Sequence, residues 1–179
     1  MFSMHEDRVK GVCDYLAKQG KFRVVMPDLH LGKPLTDHYY TANLDGWVKE
    51  HPIEEVVQLF QATVDKVKTD GADCVAVLGF SWGAWVIFRA LKEGLEVEGV
   101  ACMHPSLDLE EMSDGSISQL VEDLKTPLFI ASAGNDPDSV KPGGLVSQVV
   151  KNKKLDADSM IIEYPEMKHG WTIRGDVAD

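Results

Sequence analysis

The residues best placed to do chemistry lie in Gly79-Phe80-Ser81-Trp82-Gly83, which follows the apolar run Val75–Leu78 and precedes an apolar run of helical character. A buried strand that turns sharply into a helix, with serine at the apex, holds that serine in a strained backbone and projects its Oγ above the sheet. Residues two before and two after the apex lie where strand and helix nearly touch. Glycine is therefore expected at 79 and 83, because a Cβ there would clash. The first N–H groups of the following helix point at the space above Ser81, where an oxyanion would form.

A serine hydroxyl is a weak nucleophile near neutral pH and needs a base. Of six histidines, His5 is near the N-terminus, and His30, His38 and His51 lie in or beside a connecting loop. His104 and His169 follow strands, on the side where Ser81 must lie. His169 is the better base, because its loop Lys168-His169-Gly170 can carry an imidazole across the sheet. The base needs an acceptor to fix its tautomer, and Asp136 in the turn Gly134-Asn135-Asp136-Pro137 suits that role. Asp138 is the alternative acid. The order serine, acid, histidine is that of the α/β-hydrolases. Read locally, a turn former at Asp136 and a loop histidine at His169 are the alternatives.

These groups need a scaffold, and the chain spells one. A helix over His5–Gln19 carries Val9, Val12 and Leu16 on one side, and a strand is expected at Phe22–Met26. Leu29 to about Asn43 reads as a loop. Pro52 opens a helix to Thr69, with Val56, Val57, Phe60, Val64 and Val67 as its stripe. Strands follow at Asp73–Leu78, Val97–Met103, Pro127–Ser132 and Ser159–Tyr164. Between them lie helices at Trp82–Glu93, Gln119–Leu124 and Gly144–Lys153, and an acidic connecting stretch at Leu107–Ser118. Five strands alternating with helices predict an α/β fold with a mostly parallel sheet. In such a sheet function gathers at the carboxyl ends of strands, here Asp28, Ser81, His104, Asp136 and His169.

Bulk properties agree. At 179 residues, 44% hydrophobic and 26% charged, the chain suits one globular domain, residues 1–179. A net charge of −11 argues against a nucleic-acid or anionic-membrane surface. No apolar run reaches the length of a membrane span, and the N-terminus lacks a signal-peptide layout. Cys13, Cys74 and Cys102 are read as reduced core thiols of a cytoplasmic protein. No phosphate loop or dinucleotide fingerprint points to a nucleotide cofactor. Asp28, His30 and His38 match no standard metal-ligand spacing, so no metal or other cofactor is expected.

The chain resembles the dienelactone hydrolase (carboxymethylenebutenolidase-like) family of α/β-hydrolases. The matching segments are Phe2–Arg8, Val25–Lys33, Gly79–Ala84, His104–Ser106, Ala133–Pro137 and Lys168–Gly175. The resemblance implies a three-layer α/β-hydrolase-like sandwich that lacks the family's first strands and last helix, as in a truncated form. It implies Ser81 as nucleophile, where the family commonly has cysteine, with Asp136 as acid and His169 as base. The backbone N–H of Trp82 would be one oxyanion donor, and Met1 or Phe2 would supply the second. Arg174 would face a substrate carboxylate, although pairing with Asp176 explains it as well. Trp82, Trp171, Tyr39, Tyr40 and His104 are candidates for the walls of an aromatic pocket. The expected activity is hydrolysis of a small ester, lactone or thioester through an acyl-serine, with a second copy of the chain as a further partner. The competing reading is a catalytically weak binding or scaffold protein on the same fold.

Overall fold

A computed structural model describes residues 7–33 and 44–174. The chain divides into two compact units between Thr63 and Val64.

The first unit is helical. Helix α1 (Asp7–Gly20) turns Val9, Val12, Cys13 and Leu16 to its less exposed side. The strand expected at Phe22–Met26 is not formed. A strand exists only with a ladder partner; no strand pairs with this segment among the described residues, and Phe22 and Val25 are exposed. Asp28 has a local role, its carboxylate accepting the N–H groups of His30 and Gly32. A short helix that the sequence reading left out, α2 (Leu44–Glu50), carries Trp47. The buried His51 ring stacks on Trp47 with centroids 4.1 Å apart, and its two nitrogens face the carbonyl oxygens of Trp47 and His30.

Helix α3 (Ile53–Thr69) crosses the division. Glu54 and Glu55 in its first turn and Lys66 and Lys68 in its last oppose the helix dipole's charge at each end. Val56, Val57, Phe60 and Val64 form its buried stripe, with Val67 half-buried.

The second unit holds one sheet of four parallel strands in the order β1 (Ala76–Phe80), β2 (Gly99–Met103), β3 (Leu128–Ala133), β4 (Met160–Tyr164). Among the described residues, four strands therefore stand where five were expected. Parallel neighbours need crossovers. These are α4 (Trp82–Lys92), then α5 (Leu109–Met112) with α6 (Ile117–Val121), then a 3-10 turn (Asp138–Val140) with α7 (Leu145–Asn152). A last short helix, α8 (Trp171–Arg174), follows β4. Flanking helices suit these strands: β3 is buried almost throughout, while β1 and β2 alternate buried with less buried residues and β4 is largely half-buried.

Helix α4 is the apolar centre of this unit, with Trp82, Ala84, Trp85, Val86, Ile87, Phe88 and Ala90 all buried. Each large side chain removed from water contributes roughly 1.5–3 kcal/mol. One carboxylate lies inside this packing. Glu110, in the stretch expected to be an acidic connection, is buried and accepts Trp85 Nε1–H at 2.7 Å and Arg89 Nη1–H at 3.2 Å. Those two donors sit one helical turn apart on α4, so Glu110 pins α5 to the helix that begins at Ser81. Of the cysteines, only Cys102 on β2 is in the core, where burial pushes its thiol up to about 12. Cys13 is half-buried and Cys74 exposed, contrary to the expectation of three core thiols.

Candidate functional site

The register of the sheet brings the ends of β1, β2, β3 and β4 to one edge, and the loops that follow carry Ser81, His104, Asp136 and His169. Ser81 sits between β1 and α4 with φ 51° and ψ −115°. A non-glycine residue in the left-handed half of the map costs about 1–3 kcal/mol, held here by the structure around it. Its N–H donates to Met103 O at 3.1 Å, and its carbonyl accepts the N–H groups of Ala84 and Ser106. Gly79 is required as expected: a Cβ there would lie 2.7 Å from Ile87 Cδ1 and 2.8 Å from Ala84 N. The expectation for Gly83 fails. A Cβ there meets nothing within 4 Å, because Gly83 already lies on the open side of the first turn of α4.

From Ser81 a chain of hydrogen bonds runs inward. Ser81 Oγ is 2.8 Å from His169 Nε2, and His169 Nδ1 is 2.6 Å from Asp136 Oδ1. The other carboxylate oxygen of Asp136 accepts the N–H of Ala133 at 2.7 Å. Asp136 has a fully buried side chain, whereas His169 keeps 19% of its side chain exposed. A carboxylate only accepts, so Nδ1 carries the hydrogen and Nε2 of the neutral ring presents a lone pair to Ser81. Asp138, the alternative acid, instead points outward with its side chain 99% exposed and pairs with Lys141.

The loops that carry Asp136 and His169 are bound to each other. Gly134 N–H donates to Met167 O at 3.0 Å, and His169 N–H donates to Asn135 Oδ1 at 2.6 Å. A Cβ on Gly134 would collide with the Pro165 carbonyl oxygen, so glycine is what lets the loops touch. Lys141 Nζ donates to Gly134 O at 2.8 Å and pairs with Glu163 Oε1 at 3.2 Å, the hydrogen bond that raises its pKa most.

The remaining sequence-stated residues fall in several places. His104 is fully buried, with φ 39°, its ring edge-on to His169 at 4.9 Å and its Nε2 2.6 Å from Thr172 Oγ1. Burial first, and then the neighbouring His169, lower its pKa to about 3. It thus lies buried and edge-on against His169 rather than facing open space. Trp82 is buried at the first position of α4. Half-buried Trp171 packs on Tyr164 with centroids 4.9 Å apart. Arg174 is exposed, its side chain lying back over Gly170. Phe2 and Tyr39 lie outside the described residues, as do Met1, His5, His38, Tyr40 and Asp176. Ser106 is a site residue that the sequence reading assigned no role. Its Oγ is 3.0 Å from Ser81 Oγ and 3.5 Å from His169 Nε2. Its position three residues past β2, beside His104, was the available signal. Among the described residues no three His, Cys, Asp or Glu side chains group as metal ligands, and no helix is long and apolar enough to cross a membrane.

A parallel sheet with flanking helices, carrying serine in a strained strand-to-helix turn and acid and histidine at later strand ends, defines a domain of the α/β-hydrolase type. The family model described as the dienelactone hydrolase family matches residues 1–178, and the chain belongs to that family. A crystal structure from Klebsiella pneumoniae subsp. pneumoniae, provisionally named a dienelactone hydrolase, is similar in fold. The match has a TM-score of 0.66 at 16% identity and covers 95% of this chain and 72% of that one. No curated protein matches the sequence.

Proposed function

We propose that the chain hydrolyses a small ester, lactone or thioester through an acyl-serine intermediate. The observation that carries this reading is the continuous hydrogen-bond chain from Ser81 Oγ through His169 to Asp136, with Asp136 held by the Ala133 N–H. Ser81 Oγ attacks the carbonyl carbon as its proton passes to His169 Nε2, and Asp136 steadies the imidazolium through Nδ1–H. The carbonyl oxygen becomes an oxyanion at the head of α4, where the Trp82 N–H is the donor, with Phe2 as the family-implied second. As the intermediate collapses, the bond from the acyl carbon to the leaving oxygen or sulfur breaks, and the leaving group takes the proton from Nε2. Water then repeats the sequence on the acyl-serine, with His169 as base, and regenerates Ser81.

Arg174, Trp171 and Tyr39 remain the residues proposed to meet the substrate, and His104 acts through His169. The three unpaired cysteines fit the cytoplasmic setting that belongs to this reading. Fluorophosphonate labelling followed by peptide mass mapping tests it. The wild type should label at Ser81, and His169→Ala should label about 10²–10⁴-fold more slowly, the usual worth of a general base. A folded wild type that takes no label would overturn the hydrolase and leave a binding module on the same fold.

A further inference from the structure

Three polar atoms form a triangle at the apex. Ser81 Oγ is 2.8 Å from His169 Nε2, Ser106 Oγ is 3.0 Å from Ser81 Oγ, and Ser106 Oγ is 3.5 Å from Nε2. Counting protons decides which group donates. Nδ1 of His169 carries its hydrogen toward Asp136, so Nε2 offers a single lone pair. The shorter contact assigns that lone pair to the Ser81 hydroxyl. Ser81 has then used its only hydrogen, and the 3.0 Å contact must be Ser106 donating to Ser81. The main chain fixes Ser106 in that place. Its N–H donates to the Ser81 carbonyl at 3.2 Å, and two residues earlier His104 is buried in a left-handed backbone and bonded to Thr172.

We propose that Ser106 is a further catalytic residue of this site, a role that rests on Ser81 being the nucleophile. Before attack, the Ser106 hydroxyl occupies one lone pair of Ser81 Oγ, which turns the Ser81 proton toward Nε2 and leaves the other lone pair for the carbonyl carbon. During attack the Oγ–C bond forms, the carbonyl π pair moves onto oxygen, and the Ser81 proton moves to Nε2. In the tetrahedral intermediate Ser81 Oγ is bonded to carbon and is a poorer acceptor than the free serine oxygen. The imidazolium Nε2–H needs another acceptor until the leaving group takes its proton, and Ser106 Oγ at 3.5 Å is the neighbouring oxygen. By holding that N–H, Ser106 keeps the proton from returning to Ser81.

The test uses the full chain and a fluorophosphonate, which forms a P–O bond to Ser81 as the P–F bond breaks and fluoride leaves. Second-order labelling rates at Ser81, mapped by mass, are compared for wild type, Ser106→Ala and Ser106→Thr, with thermal unfolding of each. Ser106→Ala should label about tenfold more slowly, the worth of one hydrogen bond, while unfolding near the wild-type temperature. Ser106→Thr keeps the hydroxyl and should label close to the wild-type rate. Ser106→Ala labelling at the wild-type rate overturns the proposal, and so does Ser106→Thr labelling as slowly as Ser106→Ala. Should Ser106→Ala fail to fold, Ser106→Cys, similar in size and a weak donor, replaces it with the same expected slowing and the same overturning result. A wild type that does not label removes the nucleophile itself and Ser106 with it; an active wild type matched by Ser106→Ala removes Ser106 alone.

Discussion

Acidification should weaken this fold through His104 by an amount that can be worked out. The ring is fully buried, 4.9 Å from His169, and its Nδ1 has no hydrogen-bond partner. Protonation would place a charge in that packing. The folded pKa is lowered from 6.5 to about 3, chiefly by burial and then by His169, with Asp136 acting in the opposite direction. Because the folded value lies below the unfolded one, the unfolded chain binds more protons between the two. Stability contributed by neutral His104 is therefore complete above pH 6.5, falls as pH drops, and levels off near pH 3. At 1.36 kcal/mol per unit, lowering pH from 6.5 to 4.5 costs about 2–3 kcal/mol through this one group. Urea unfolding of wild type and His104→Gln across that range isolates it. Carboxylates titrate in both chains, as does His30, which burial and then His51 lower to about 4. Wild type should lose about 2–3 kcal/mol more than His104→Gln. Parallel stability curves would refute the reasoning, since His104 would then charge as freely folded as unfolded.

Three further substitutions test the support of the site. Gly79→Ala should cost about 1–3 kcal/mol by overpacking the strand–helix contact and slow labelling at Ser81, whereas Gly83→Ala should change the urea midpoint little; equal midpoints for the pair would contradict the packing seen at Gly79. Glu110→Gln should lower stability by about 2–3 kcal/mol, because an amide NH₂ would face either the Trp85 or the Arg89 donor; a thermal midpoint equal to wild type would show that the buried carboxylate is not needed there.

The parts legible in the sequence were those with local signatures. Alternating apolar runs and helical stripes implied the parallel sheet, and strand ends implied where Ser81, Asp136 and His169 would gather. The structure brings those three within hydrogen-bond reach. Phe22–Met26 has strand composition, but strand formation depends on a partner elsewhere in the chain, which composition does not encode. Glu110 lies in an acidic stretch that reads as solvated; its burial depends on Trp85 and Arg89, a distant pair on another element. His104 was legible as a strand-end residue, but its depth was not. Ser106 was marked only by its place just past β2 beside His104, and one hydroxyl in a loop is too common to single out until its neighbours are placed.

The loops that carry Asp136 and His169 are coupled by Gly134 N–H to Met167, by Asn135 to the His169 backbone, and by Lys141 bridging to Glu163. The Ser81–Ser106 side is tied to those loops by more than the imidazole: β2 pairs with β3, the His104 N–H donates to Ala131 O, and the His104 ring meets both Thr172 and His169. A shift of the His169 loop is therefore felt at His104 as well as at Ser81, and the spacing along which the proton travels is set by the whole sheet edge rather than by a single contact.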